Sequence, residues 1–220
     1  YGAENDLPSE VVYTLVQDGN GYLWVGTAEG LARFDGFSFY RVSYPDSAAG
    51  RYPTVSIRDS RGILWFGCND GTLFHTSGNE LHQTVLPNSS GSGISSVLEG
   101  NDGLIYVIPQ RMPLFVIDPG DPDEGRSIES QADPTMFSAA ISSSGFLLIG
   151  TQENLLICRA EGNSLVISST QEGFDYSRVM SVTPAGDGNS FIIGTDGNGL
   201  FHFKLSDGSG ILSRFRGSEA

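Results

Sequence analysis

The chain holds three histidines, His75, His82 and His202, two cysteines, Cys68 and Cys158, and 26 acidic residues among 220. Catalysis of the common kinds needs a nucleophile or a well-placed acid–base pair. The sequence contains no G-x-S-x-G, no HExxH and no phosphate-binding glycine loop. His75 and His202 align with Val116 and Cys158 in a repeated position described below. A position that accepts His, Val and Cys is a packing position. His82, near Glu80, reads as surface. The stretch DPGDPDEG at 118–125 gathers Asp118, Asp121, Asp123 and Glu124. It lacks the spacing of a calcium loop and reads as a solvated hairpin loop. Two cysteines make neither a disulfide framework nor a zinc knuckle, and they read as separate, half-buried thiols. Asn88-Ser89-Ser90 matches a glycosylation acceptor, a triplet that arises often by chance. The sequence assigns no catalytic residue, no metal ligand and no cofactor.

What must position any site is an internal repeat. Segments GYLWVGTAEGLARFDG (21–36), GILWFGCNDGTLFHTS (62–77), GLIYVIPQRMPLFVID (103–118), GFLLIGTQENLLICRA (145–160) and NSFIIGTDGNGLFHFK (189–204) align, with starts 41, 41, 42 and 44 residues apart. Three successive columns are apolar. They begin Leu23, Leu64, Ile105, Leu147 and Phe191, and continue through Trp24, Trp65, Tyr106, Leu148 and Ile192. Three apolar residues in a row mean a strand covered on both faces, as in a sheet stacked between two others. The next column is Gly26, Gly67, Ile108, Gly150 and Gly194. Glycine inside a strand marks a bulge or a close backbone approach, so blade three should differ locally at Ile108. A turn rich in Asp, Asn, Ser and Gly precedes each of these strands, at 18–21, 59–62, 100–103, 142–145 and 186–189.

Upstream lies a first strand, such as 12–18 or 54–59; downstream come a third (30–35) and a fourth (37–42). Four strands in about 42 residues make one blade of a β-propeller. The expected fold is therefore all-β, a single propeller domain or N-terminal propeller fragment over 1–220. Its five four-stranded blades fall near 8–45, 52–86, 93–130, 136–170 and 178–217. Equivalent second strands are expected at 22–27, 63–68, 104–108, 146–151 and 190–195. The longer loops at 43–53, 86–93, 118–126 and 171–177 connect strands or blades.

Net charge is -14, which argues against a nucleic-acid backbone or an anionic membrane as main partner, since both need a positive field. No apolar run approaches the ~18 residues of a membrane span. The polar start YGAENDLPSE shows no signal peptide, and a chain trimmed after one would look the same.

LPSEVVYTLVQDGNGYLWVGTAEGLARFDGFSFYRV at 7–42 resembles the first repeat of the two-component regulator propeller family, and SIRDSRGILWFG at 56–67 repeats its core. The resemblance is strong over roughly 7–85 and weaker over 94–205. It implies the extracytoplasmic, periplasmic sensor of a bacterial membrane receptor, most often a hybrid histidine kinase responding to glycan fragments. It also implies seven blades per propeller, followed by further domains of the same receptor. Five blades can close a ring; five of seven leave an open arc whose end faces should self-associate. Propeller ligands meet the loops before each first strand and between second and third strands. Those loops carry Arg51, Tyr52, Arg111, Tyr176 and Arg178, groups that stack on sugars or donate hydrogen bonds to them. Two other functions fit such a repeat. One is a streptogramin-lyase-like enzyme, which needs a histidine and an acid converging near the axis. The other is a protein-interaction scaffold. Fold alone does not separate the three.

Overall fold

The structure, a computed structural model, describes residues 6–45, 50–78, 80–89, 91–111, 113–129 and 134–215. The expected blade ends at 130 and 217, and Ser90 of the acceptor triplet, lie outside the described residues. Blade one is β1 (Val12–Gln17), β2 (Leu23–Thr27), β3 (Gly30–Phe34) and β4 (Phe39–Val42). Blade two is β5 (Pro53–Arg58), β6 (Leu64–Cys68), β7 (Leu73–Ser77) and β8 (Glu80–Thr84). Blade three is β9 (Ile94–Glu99), β10 (Ile105–Pro109), β11 (Leu114–Asp118) and β12 (Asp121–Ile128). Blade four is β13 (Met136–Ile141), β14 (Leu147–Thr151), β15 (Leu155–Glu161) and β16 (Ser164–Gln171). Blade five is β17 (Val179–Ala185), β18 (Ser190–Thr195), β19 (Leu200–Ser206) and β20 (Ser209–Arg214). Each blade is a four-stranded antiparallel sheet in chain order. The described residues contain no helix, and so none long and apolar enough to cross a membrane. The expected second strands lie within one residue of those observed.

Successive first strands pack on one another, β1 on β5, β5 on β9, β9 on β13 and β13 on β17, and so line the axis. No comparable packing joins β17 to β1. The five blades form an open arc. Between the sheets lie apolar clusters that pair neighbouring blades, for example Trp24, Leu31, Phe66 and Phe74 between blades one and two.

The glycine column has two causes at once. Every first strand bulges beside it, between Val12 and Thr14, Pro53 and Val55, Met136 and Ser138, and Val179 and Ser181. The next blade also comes close there. A Cβ on Gly67 would lie 2.6 Å from Ile94 Cγ2, and one on Gly150 would lie 2.6 Å from the Val179 carbonyl oxygen. Blade three does not differ as expected. Ile108 is fully buried, pairs with Ser96, and keeps the same bulge between Ile94 and Ser96. The seam to blade four absorbs its side chain.

Three other readings need correction. The acidic stretch at 118–125 is not an extended loop: β11 and β12 run through it, and a tight turn at Pro119–Gly120 joins them. The partners of Trp65, Tyr106 and Ile192 are His75, Val116 and His202, but that of Leu148 is Ile157. Cys158 faces Leu147 instead, because the β14–β15 turn is one residue shorter, closed by Thr151 N–H donating to Asn154 O at 2.8 Å. A missing residue sends every later side chain to the opposite face.

Both cysteines are fully buried, not half-buried. Burial pushes the Cys158 thiol up to about 12, which suppresses thiolate and hence reactivity. The native protein should resist thiol reagents and release two titratable thiols on denaturation without reductant. Fewer than two would mean a disulfide in solution.

Candidate functional site

At one end of the blades the turn before each second strand consumes its own polar groups. Asp59 Oδ1 accepts from the N–H groups of Arg61 (3.0 Å) and Ile63 (2.8 Å), and Oδ2 accepts from Trp65 Nε1 (2.9 Å). Asp18 does the same for Asn20, Tyr22 and Trp24, and also takes Arg33 at 3.2 Å. Burial pushes the Asp18 carboxyl up. The indole, the two backbone donors and Arg33 outweigh it and leave the group below the usual carboxylate range. In blade three the acid moves two places along. Gly100 stands where Asp18 and Asp59 stand, and Asp102 folds back over it to accept Tyr106 Oη at 2.9 Å. Where Trp becomes Leu148, Ser142 Oγ suffices for the Phe146 N–H. These acids hold turns and indoles, which leaves them unsuited to a metal; among the described residues no group of three ligands could hold one.

The histidines lie on third and fourth strands, away from the first strands that line the axis. His75 is buried and shares a 3.0 Å hydrogen bond with Thr84 Oγ1, which donates to Pro122 O. Burial pushes its pKa down, against the pull of Asp123. His82 Nε2 lies 3.7 Å from Glu80, and His202 meets Phe215 edge-on. The axial channel, about 390 Å³, is lined by Ile57, Val97, Ala139 and Val182, with Arg58 and Glu99 as its charged groups. None of the three histidines lines it.

The opposite, loop end carries the five candidate residues. Tyr52 and Arg178 prove structurally equivalent: each directly precedes a first strand, and its carbonyl accepts from the loop after the second strand, Asn69 N to Tyr52 O (3.1 Å) and Asp196 N to Arg178 O (3.0 Å). Asn69 also takes the Tyr52 N–H on its Oδ1 (2.9 Å) and donates to Gly50 O. Asn69 therefore holds the backbone at Gly50 and on both sides of Tyr52. Arg51 Nε donates to Asp70 Oδ2 at 2.6 Å, and its guanidinium lies 5.5 Å from the Phe74 ring centre. Burial pushes Asp70 up, but the Arg51 hydrogen bond and the Thr72 N–H win and lower its pKa. Arg51 thus stiffens the loop behind Tyr52. Arg111 lies next to that loop cluster through its N–H to Ser92 Oγ (3.2 Å). Tyr176 and Arg178 stand apart, at the blade four–five end. Tyr176 is 88% exposed in a left-handed conformation, and Arg178 faces Asp196 and Phe137. Asn198 holds their loop through Phe174 O and Ser177 Oγ.

Sequence reasoning missed Tyr13. Its ring stacks on Tyr52 with centroids 4.9 Å apart and planes 16° apart. A hydrogen bond with Tyr52 raises its pKa. Tyr13 occupies the bulge of β1, the one strand position whose side chain leaves the sheet's alternation, and the glycine column opposite was the available signal. The pair forms an aromatic stack next in the chain to Arg51 and its ion pair with Asp70. It offers stacking and hydrogen bonding.

Residues 6–29 match the two component regulator propeller family. No curated protein matches the chain. Among solved structures, virginiamycin B lyase from Staphylococcus aureus is similar in fold, with 14% identity, a TM-score of 0.73, and 91% of this chain covering 68% of that one. PorZ of the Porphyromonas gingivalis type-IX secretion system gives 14% and 0.71, over 93% of this chain and 33% of that. The extracellular domain assigned to the hybrid two component system BT4673 of B. thetaiotaomicron gives 18% and 0.55, over 97% and 34%. This chain spans about a third of the length of the last two. At such identities the likeness shows the β-propeller fold.

Proposed function

We propose that the chain is a non-catalytic, ligand-sensing part of the periplasmic region of a bacterial two-component receptor, a hybrid sensor kinase responding to glycan-derived ligands. The observation that carries this reading is the match of 6–29 to the two component regulator propeller family. The geometry supports it. The exposed groups at the loop end suit binding, and the acids of the turn end are committed to the fold. An oligosaccharide would lay a ring face on the Tyr13–Tyr52 platform, with Arg111 donating to its hydroxyls and Tyr176 forming a second contact on the far side of the arc. The remaining blades and the output domains of the receptor are the implied partners.

Calorimetric titration of the protein against plant and host oligosaccharides tests the reading. Binding of one class is expected, and Tyr52→Ala should weaken it at least tenfold, about 1.4 kcal/mol, as truncation of an aromatic anchor does. A streptogramin lyase assay runs alongside. Turnover that is lost on replacing a histidine would overturn the sensor in favour of an enzyme.

A further inference from the structure

Three of the four seams between blades are filled near the turn end by a buried aromatic ring from the leading blade. Trp24 of β2 fills the first, clustered with Leu64 and Phe66 of blade two. Trp65 of β6 fills the second, clustered with Ile105 and Val107 of blade three. Both indoles are at most 2% exposed. Both donate to the acid of their own turn, Trp24 Nε1 to Asp18 Oδ2 (3.0 Å) and Trp65 Nε1 to Asp59 Oδ2 (2.9 Å). The fourth seam has Leu148 in this column. There Phe146, two positions earlier and on the same side of the sheet, supplies the ring and is buried among Leu148, Phe191 and Phe203.

The third seam is filled less completely. Its residue in the column is Tyr106, which is only half-buried, and its counterpart of Phe146 is Leu104, also half-buried. The acid of this turn is Asp102, which takes the Tyr106 hydroxyl at 2.9 Å. Burial and that hydrogen bond push the Tyr106 hydroxyl up to about 12, so it stays a proton donor to Asp102. Between blades three and four remains a cavity of about 150 Å³, lined by Asp102 and Tyr106 from one blade and Ile141, Gly145, Leu147 and Ala160 from the other. Asn101 ties the two turns together at its rim, donating to the carbonyls of Ser142 (3.1 Å) and Ser143 (2.8 Å). The space is therefore preformed. An apolar cavity of this volume accepts a benzene ring.

We propose that this cavity binds a small, planar, uncharged aromatic molecule that carries an N–H group, its ring set between blades three and four and its N–H donated to Asp102. The occupant follows from the first two seams, where the corresponding place holds an indole bonded to the acid of the turn. Ile141, Leu147 and Ala160 give the ring apolar walls. Asp102 is the charged group among the lining residues; it accepts a donor and repels an anionic ring such as benzoate, as does the net charge of -14. The cavity lies at the turn end, away from the Tyr13–Tyr52 stack, and the proposal is independent of the sensor reading.

Indole is the probe, and indene, its carbocyclic analogue without the N–H, is the control. Titration of the 220-residue chain, followed by proton–nitrogen correlation NMR, should give saturable shifts at Gly145 and Ala160. Indole should bind at least tenfold more tightly than indene, as a hydrogen bond to a carboxylate implies. Ala160→Leu places a branched side chain in the cavity, and Tyr106→Trp supplies the ring that the first two seams have. Each variant should keep a native circular dichroism spectrum and lose the shifts. The absence of saturable shifts up to the solubility of indole, equal affinities for indole and indene, or binding that survives both substitutions would each overturn the proposal.

Discussion

Asp59→Ala should lower the unfolding free energy by about 3 kcal/mol, the cost of stranding buried donors. Asp59 is 4% exposed and accepts three hydrogen bonds: two from the backbone of its own turn and one from Trp65, which is fully buried. With the carboxylate gone, the buried indole N–H and two turn N–H groups lose their acceptor. For a domain of this size the loss corresponds to a fall in Tm of about 6–12 °C. Asp187→Ala is the matched control. Asp187 also accepts two turn N–H groups, from Asn189 and Ser190. The residue opposite in sequence role is Ile192, which carries no donor, and the turn lies in solvent, so Tm should stay near native. Urea unfolding followed by tryptophan fluorescence reads the effect directly, because Trp24 and Trp65 are the only two tryptophans. Equal losses for the two alanine variants would show that the staple on Trp65 carries no special energy.

Gly150→Ala should destabilise by about 3 kcal/mol, at the upper end of what overpacking costs. Its new Cβ would lie 2.6 Å from the Val179 carbonyl oxygen and 2.7 Å from Val179 Cγ1. The first obstacle is backbone of the next blade, held in β17, so relief requires the blade four–five seam to part. Gly194→Ala places a methyl in the same column, where none of the three nearest atoms is backbone. There the contacts are the Ser181 hydroxyl and the end of Leu200, both free to rotate. Its cost should stay below about 1 kcal/mol, and a strand alanine recovers part of that through reduced backbone entropy. Thermal unfolding of the two variants side by side decides the matter. Equal costs would mean that the column is set by the bulge within each blade and not by the seam.

Much of the fold was legible because a repeat multiplies weak signals. One LW-x-G could be any buried strand; five aligned copies fix the strands, their order and the blade. The site was less legible. Tyr52 and Arg178 stand out by residue type, but their equivalence lies in backbone hydrogen bonds that cross from one hairpin to the next first strand. Tyr13 reads as one more strand residue until the bulge turns it toward Tyr52. Arg51 reads as a free cation, yet Asp70, 19 positions later, holds it. Cys158 shows the limit of ungapped alignment, since one residue fewer in a turn moves it to the other face.

By itself the sequence determined the period of the blades, their four strands, the turns that open each second strand, and the absence of catalytic motifs. These depend on neighbours within a few residues, through alternation, turn propensity and covering on both faces. Only the tertiary structure decided which glycines serve as notches for the next blade, which tyrosines meet, and that Val12 and Leu200 are exposed while Val179 and Leu155, their counterparts in other blades, are buried. Those facts arise between blades some forty residues apart. There, packing is set by the approach of two sheets, and the same residue type is buried or bare according to whether another blade follows.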